Sequence, residues 1–176
     1  VMATEHGSDE GEAREIRIAR EVEAPCALVW KALTDPRHLA NWWGPSGFRT
    51  ETHAYELRPG GSWRLTMHGP DGRAYANHAV FDEVEPPHRL VLHYVDEAGV
   101  EPALHTTTVT LTELGPRRTR VAFCLRFPTA EGRKLAADVY GAVEGGKQTL
   151  ARLVEVLDAL QGVPAGVEPF VIRRVL

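Results

Sequence analysis

Between Phe48 and Phe127 the chain is cut into six short runs of alternating apolar and polar residues, each closed by a turn or short loop rich in glycine or proline. The runs are 48–57, 62–68, 73–85, 89–95, 104–113 and 119–127, separated by Pro59-Gly60-Gly61, Gly69-Pro70-Asp71-Gly72, Pro86-Pro87, the longer loop 96–102, and Gly115-Pro116. Connections this short leave no room for a crossover helix, so the runs must pair as an antiparallel meander. A second feature follows immediately. From Thr129, Leu135, Val139, Val143, Gly146, Leu150, Leu153, Val154 and Leu157 recur at helical spacing up to Gly162. They predict one amphipathic helix of about eight turns, well beyond the usual three or four. A one-sided sheet and one long one-sided helix bury each other. The expected fold class is therefore α+β, a curved antiparallel sheet around a long C-terminal helix with an apolar cavity between them.

The segment before the meander supplies one more strand and two short helices. Ile16, Ile18, Ala19 and Val22 read as a strand ended by Ala24-Pro25. Pro25 suits the first turn of a helix carrying Val29, Trp30 and Leu33. Thr34-Asp35-Pro36 breaks it, and Pro36 opens a second helix through Leu39 to Trp42, closed by Trp43-Gly44-Pro45. Residues 1–13 are acidic, polar and without periodicity, and are expected to be a flexible arm. The domain is expected over 14–161. The tail 162–176 carries Phe170, Val171, Ile172, Val175 and Leu176, and is expected to pack on its own domain or on a second subunit.

Composition removes several function classes. A net charge of -4 with 20 scattered basic residues argues against nucleic acid as a partner. Only Cys26 and Cys124 occur, without CxxC spacing, so a disulfide framework or structural zinc is not expected, and a cytoplasmic location is. No apolar run reaches the roughly 18 residues of a membrane span. There is no GxSxG, P-loop or GxGxxG signature.

Turn chemistry sets the register. A three-residue loop with Gly72 in the left-handed position pairs Gly69 with Arg73, which places Met67 opposite Tyr75, Leu65 opposite Asn77 and Trp63 opposite Ala79. Across Pro86-Pro87, Val84 opposite Arg89 is expected to bring Phe81 to Leu92 and Ala79 to Tyr94. Val109 and Leu111 then oppose Phe123 and Val121, and His105 falls in phase with them beside Phe127. One face collects Trp63, Leu65, Met67, Tyr75, Phe81, Leu90, Leu92 and Tyr94, with Asn77, His105 and Thr107 as its polar members. The other carries Arg64, Thr66, His68, Asp82 and His93.

The candidate ligand-binding set is Trp43, Trp63, Met67, Tyr75, Asn77, Phe81, Tyr94, His105 and Phe123. An inward histidine among tyrosines is either a general base or a core histidine satisfied by its neighbours, and His105 is the only catalytic candidate. Of the adjacent tryptophans one should turn inward and the other, Trp43, toward the cavity mouth. Glu83 is a proton donor or a salt-bridged strand end. Gly145-Gly146 costs about 1 kcal/mol per glycine in a helix, which points to a close backbone approach or a kink there. His68, His78 and His93 point outward in this register, so no metal site and no cofactor are expected.

The segments VWKALTDPRHLANWWGP, RPGGSWRLTMHGPDG, VFDEVEPPHRLVLHY, VTLTEL and GAVEGGKQTLARLVEVL, in that order over about residues 14–160, resemble the family named for the activator of the Hsp90 ATPase, within the START-like or SRPBCC superfamily. The resemblance implies the helix-grip fold: a strand, two short helices, six more strands and a long helix across the sheet. Superfamily members include ligand carriers, aromatic cyclases and chaperone-regulating domains. Three roles are thus expected to compete. The first is a binding protein for a hydrophobic small molecule (a lipid, an aromatic or a polyketide-like compound). The second is a cyclase or dehydratase using His105 with Tyr75 or Tyr94. The third is a stress-response or chaperone-partner module, with a homodimer compatible with all three.

Overall fold

The computed structural model describes residues 11–95 and 102–162. Strand β1 (Glu15–Val22) is followed by helices α1 (Cys26–Thr34) and α2 (Pro36–Trp42). Strands β2 (Arg49–Tyr55), β3 (Ser62–His68), β4 (Ala74–Glu85), β5 (Arg89–Val95), β6 (Pro102–Gly115) and β7 (Arg118–Arg126) come next, then helices α3 (Ala130–Asp138) and α4 (Ala142–Leu160). All seven strands form one antiparallel sheet in the order β1-β7-β6-β5-β4-β3-β2, with β1 returning to pair with β7. This is the helix-grip layout. Of the two terminal expectations, residues 1–10 of the arm and 163–176 of the tail lie outside the described residues.

Turn chemistry fixes the pairing as expected across β3 and β4. The Gly69 amide donates to the Arg73 carbonyl at 2.8 Å, Gly72 adopts φ 84°, and Met67, Leu65 and Trp63 face Tyr75, Asn77 and Ala79. Across β4 and β5 the inner pairs Phe81–Leu92 and Ala79–Tyr94 also hold. Val84, however, pairs with Leu90 and not with Arg89, because the register shifts between Phe81 and Glu83. The extra residue is a bulge that restores Val84 to the packed face and turns Glu83 to the outside, where it meets Arg89 at 3.0 Å. Val109 and Leu111 face Phe123 and Val121.

The short helices start where their first residues dictate. The Asp35 side chain accepts from the Arg37 amide at 2.9 Å, with Pro36 in the first helical position. The helix ends at Trp42, and Trp43 is extended (φ -73°, ψ 105°). That change of backbone takes Trp43 off the helical screw, and both tryptophans bury on the same side, contrary to the sequence expectation. Trp42 is fully buried, stacks on Phe123 and donates its indole N–H to the Ala32 carbonyl at 2.8 Å. Trp43 packs edge-on against Trp42, Trp63 and Phe123.

The long helix is the second correction. It is not continuous from Thr129: Thr129 caps α3 through the Gly132 amide at 3.0 Å, α3 ends at Asp138, and α4 restarts after Gly141 at φ 62°. Apolar periodicity runs straight through the break. What it cannot register is that α3 fully buries none of its residues, and that Leu135 and, just past its end, Val139 and Tyr140 are exposed. Its half-buried Ala136 and Ala137 alone lean on the core, which leaves little to hold α3 in line with α4. Only α4, through Leu150, Leu153 and Leu157, grips the sheet.

Candidate functional site

A cavity of about 280 Å³ lies between α4 and the concave face of the sheet. Adjacent strands place one or two inward side chains each: Met67 on β3, Asn77 on β4, Tyr94 on β5, His105 and Thr107 on β6, Phe123 and Leu125 on β7. The loop after α2 contributes Trp43, Gly44 and Pro45. The helix side contributes Tyr140, Gly141, Ala142, Gly145, Gly146 and Thr149.

The glycine pair in α4 explains how the cavity closes on this side. A methyl on Gly145 would rest in ordinary contact with Pro45 at 3.6 Å, whereas one on Gly146 would overlap the Ile18 side chain of β1. The helix backbone therefore comes down directly onto the edge strand. Arg152, a turn and a half further along, donates to four main-chain carbonyls, those of Asn41, Gly44, Pro45 and Phe48, at 2.6–2.9 Å. It ties the loop that carries Trp43 to the helix.

No aspartate, glutamate, lysine or arginine lines the cavity among the described residues. Its polar groups cluster on neighbouring strands. The His105 ring sits between Tyr94 and Phe127, with centroids 5.2 and 5.3 Å away. Burial pushes His105 down to about 4, so the imidazole is neutral at neutral pH, with one nitrogen donating and the other accepting. Burial pushes the Tyr94 phenol up to about 12, with the neighbouring Trp43 indole acting in the opposite direction, so its hydroxyl keeps its proton at neutral pH. A phenol in that state can both donate and accept a hydrogen bond. Asn77 donates to the Tyr75 carbonyl at 3.1 Å, and Thr149 donates back to the Gly145 carbonyl at 2.8 Å.

Of the nine residues expected to bind ligand, Trp43, Met67, Asn77, Tyr94, His105 and Phe123 line this space. Trp63 and Phe81 do not: they stack on each other behind it as packed core, 1 % and 0 % exposed. Tyr75 is 44 % exposed and leans on Phe48 at the sheet's open end. All three have the right face of the sheet and the wrong position along it, which alternation alone cannot resolve. Leu125 was legible as the residue two beyond Phe123. Helical periodicity does not identify Ala142 and Thr149 as lining residues, although Gly145-Gly146 marks the stretch they belong to.

His68, His78 and His93 face outward as expected and are engaged with side chains: His68 with Glu51 and His93 with Asp82, both at 2.8 Å, and His78 with Ser62 at 3.2 Å. Among the described residues no three metal-ligating side chains converge, and no helix is long and apolar enough to cross a membrane.

Residues 23–158 match the family model described as activator of Hsp90 ATPase homolog 1-like protein. Among solved structures, a Nitrosomonas europaea protein is similar at 28% identity and a TM-score of 0.76, over 85% of this chain and 97% of that one. An Arthrobacter aurescens protein is similar at 30% identity and a TM-score of 0.76, over 88% and 89%. A putative protein in the dynemicin biosynthetic locus is similar at 25% identity and a TM-score of 0.60, over 82% of this chain and 47% of that one. No curated protein matches the chain.

Proposed function

Since this chain belongs to the activator of Hsp90 ATPase homolog 1-like family, we propose that it is a binding protein whose cavity takes up a small, uncharged ring compound, held by Tyr94 and His105. One observation carries this reading: an apolar space between helix and sheet with a polar cluster at one place and no ionisable group that is charged at neutral pH. Such a make-up is that of a ligand site, since mostly apolar walls supply affinity and a few polar groups fix orientation. A cavity of about 150 Å³ holds benzene. At about 280 Å³ the space fits one or two fused rings better than a long acyl chain. A carboxylate placed there would lose its hydration without meeting a cation.

The neutral imidazole favours binding over proton transfer. A general base works best with a pKa near the operating pH, and His105 at about 4 lies well below it. A neighbour drawn from a small-molecule biosynthetic locus is in keeping with an aromatic or polyketide-like ligand.

Thermal unfolding and tryptophan fluorescence with 2-naphthol, naphthalene and 2-naphthoate test the reading. 2-Naphthol at ten times its Kd should raise Tm by about 3–6 °C, from about 1.4 kcal/mol of linkage. It should also change the emission of Trp43, and 2-naphthoate should do neither. Absence of a saturable response to every neutral ring compound, or tighter binding of the naphthoate, overturns it.

A further inference from the structure

The convex face of the sheet gathers a second constellation, remote from the cavity and on the opposite side of the same strands. Its floor is made of small outward side chains: Ala19 on β1, Ala122 and Cys124 on β7, and Thr108 and Thr110 on β6. Strand pairing puts these in adjacent rows, with Ala19 beside Ala122 and Thr110, and Cys124 beside Thr108. Around the floor stand four arginines, Arg17, Arg89, Arg120 and Arg126, and together they enclose a trough of about 730 Å³. Arg120 and Arg126 are six residues apart on β7, about 20 Å at strand rise.

The charges there are unbalanced. The only carboxylate in the trough's lining is Glu15, and Arg17 already holds it at 2.7 Å. Arg89 is held from outside the trough by Glu83. Arg120 and Arg126 stand across from Glu21 and Glu15 on β1 but form no ion pair among the described residues, those carboxylates being held by Arg118 and Arg17. No hydrogen bond of the Thr106, Thr108 or Thr110 hydroxyls occurs among the described residues either. A chain whose net charge is -4 therefore concentrates four guanidinium groups and a row of free hydroxyls on one small-residue floor. Arginine forks bind planar oxyanions through two parallel bonds, and hydroxyls add donors beneath them.

We propose that this trough is a second binding site, for a small molecule carrying two or more oxyanion groups. Two or more groups suit it because the guanidinium groups are spread around the floor and not gathered at one point. A long nucleic acid does not suit it. Glu21 lies across from Arg120 and Glu83 holds Arg89 at the trough's edge, and the net charge of the chain repels an extended polyanion.

Calorimetric titration of the full chain with pyrophosphate and with citrate, at matched ionic strength, reads this out. Saturable binding of either is expected, weakening as salt is raised; the tighter of the two identifies phosphate or carboxylate as the preferred group. The double variant Arg120→Gln/Arg126→Gln should bind roughly tenfold or more weakly, with unchanged thermal midpoint because no protein contact is lost. Thr108→Glu should abolish binding by placing a carboxylate on the floor. Arg49→Gln/Arg64→Gln, on the far strands, should change nothing, and 2-naphthol binding should be the same in all variants. No saturable heat up to about 10 mM of either anion, or equal weakening by the Arg49/Arg64 control, overturns the proposal and leaves the cavity untouched.

Discussion

Gly146 of α4 faces the Ile18 side chain of β1 with no room between them for a methyl group, while Gly145, one residue earlier, has that room against Pro45. The two glycines thus answer differently to the same substitution. Gly145→Ala should stabilise the protein by up to about 1 kcal/mol, the helix-propensity difference. Gly146→Ala gains the same propensity but pushes a methyl into a packed contact, a kind of overpacking that costs about 1–3 kcal/mol. Adding Ile18→Val removes the obstructing Cδ1, so the double variant should be more stable than the sum of the singles. Urea unfolding of the four proteins gives the coupling directly. Additive effects would mean that the approach of helix to strand is not what selects glycine at 146.

Arg152 is expected to be worth more than a surface arginine. Its four carbonyl acceptors come from the last turn of α2 and the loop that follows it, and a lysine ammonium, a compact charge with three donors, cannot span them. Arg152→Lys should lower stability by about 2 kcal/mol, since bonds from a charged donor contribute about 1.5–3 kcal/mol each and a lysine retains some of them. It should also loosen Trp43, visible as a change in tryptophan emission. A change below about 0.5 kcal/mol, the range of ordinary surface substitutions, would refute the tie.

Acid sensitivity should trace to His105. Its ordinary value of 6.5 is depressed to about 4 in the folded protein by burial. Between those values the unfolded chain binds a proton that the folded chain does not. The stability from keeping this ring neutral is therefore complete above pH 6.5 and is lost as pH falls toward 4, about 3 kcal/mol in all. His78 is depressed in the same direction and adds to the slope, while Asp35, held at about 2 by Arg37, acts only below the usual carboxylate range. Unfolding free energies at pH 7, 6, 5 and 4.5 should fall less steeply in His105→Gln than in the parent. Parallel slopes would show that His105 is not the buried base.

The ligand reading separates shape from hydrogen bonding at the same position. His105→Phe keeps a ring between Tyr94 and Phe127 but removes both imidazole nitrogens. It should still bind naphthalene, and should lose up to about tenfold in affinity for 2-naphthol, the value of one neutral hydrogen bond. Equal losses for both compounds would indicate a packing role alone.

Much of this was legible in the sequence because short turns leave little freedom. Gly69 to Arg73 dictated the β3–β4 register to the residue, and the strand period then carried Trp63, Met67, Tyr94 and His105 to one face. The misreadings share a cause. Val84 is displaced by a bulge, Trp43 by a change of backbone conformation just past a helix end, and α3 by a break over residues 139–141, each a departure of one to three residues from a period. Periodicity averages over such departures, so it assigns a face without locating a residue along it. Trp63 and Phe81 were accordingly counted with the cavity when they belong behind it.

The amino-acid order by itself determined the strands, their antiparallel pairing and the inward phase of His105, because turn geometry and side-chain alternation are local. Only the tertiary structure decided where the helix comes to rest. The contact of Gly146 with Ile18 sets the height of α4 over the sheet, and that height decides which inward residues line a space and which are packed solid. The same pairing of distant strands brings Arg17, Arg89, Arg120 and Arg126 together on the convex face, four charges that along the chain look merely scattered.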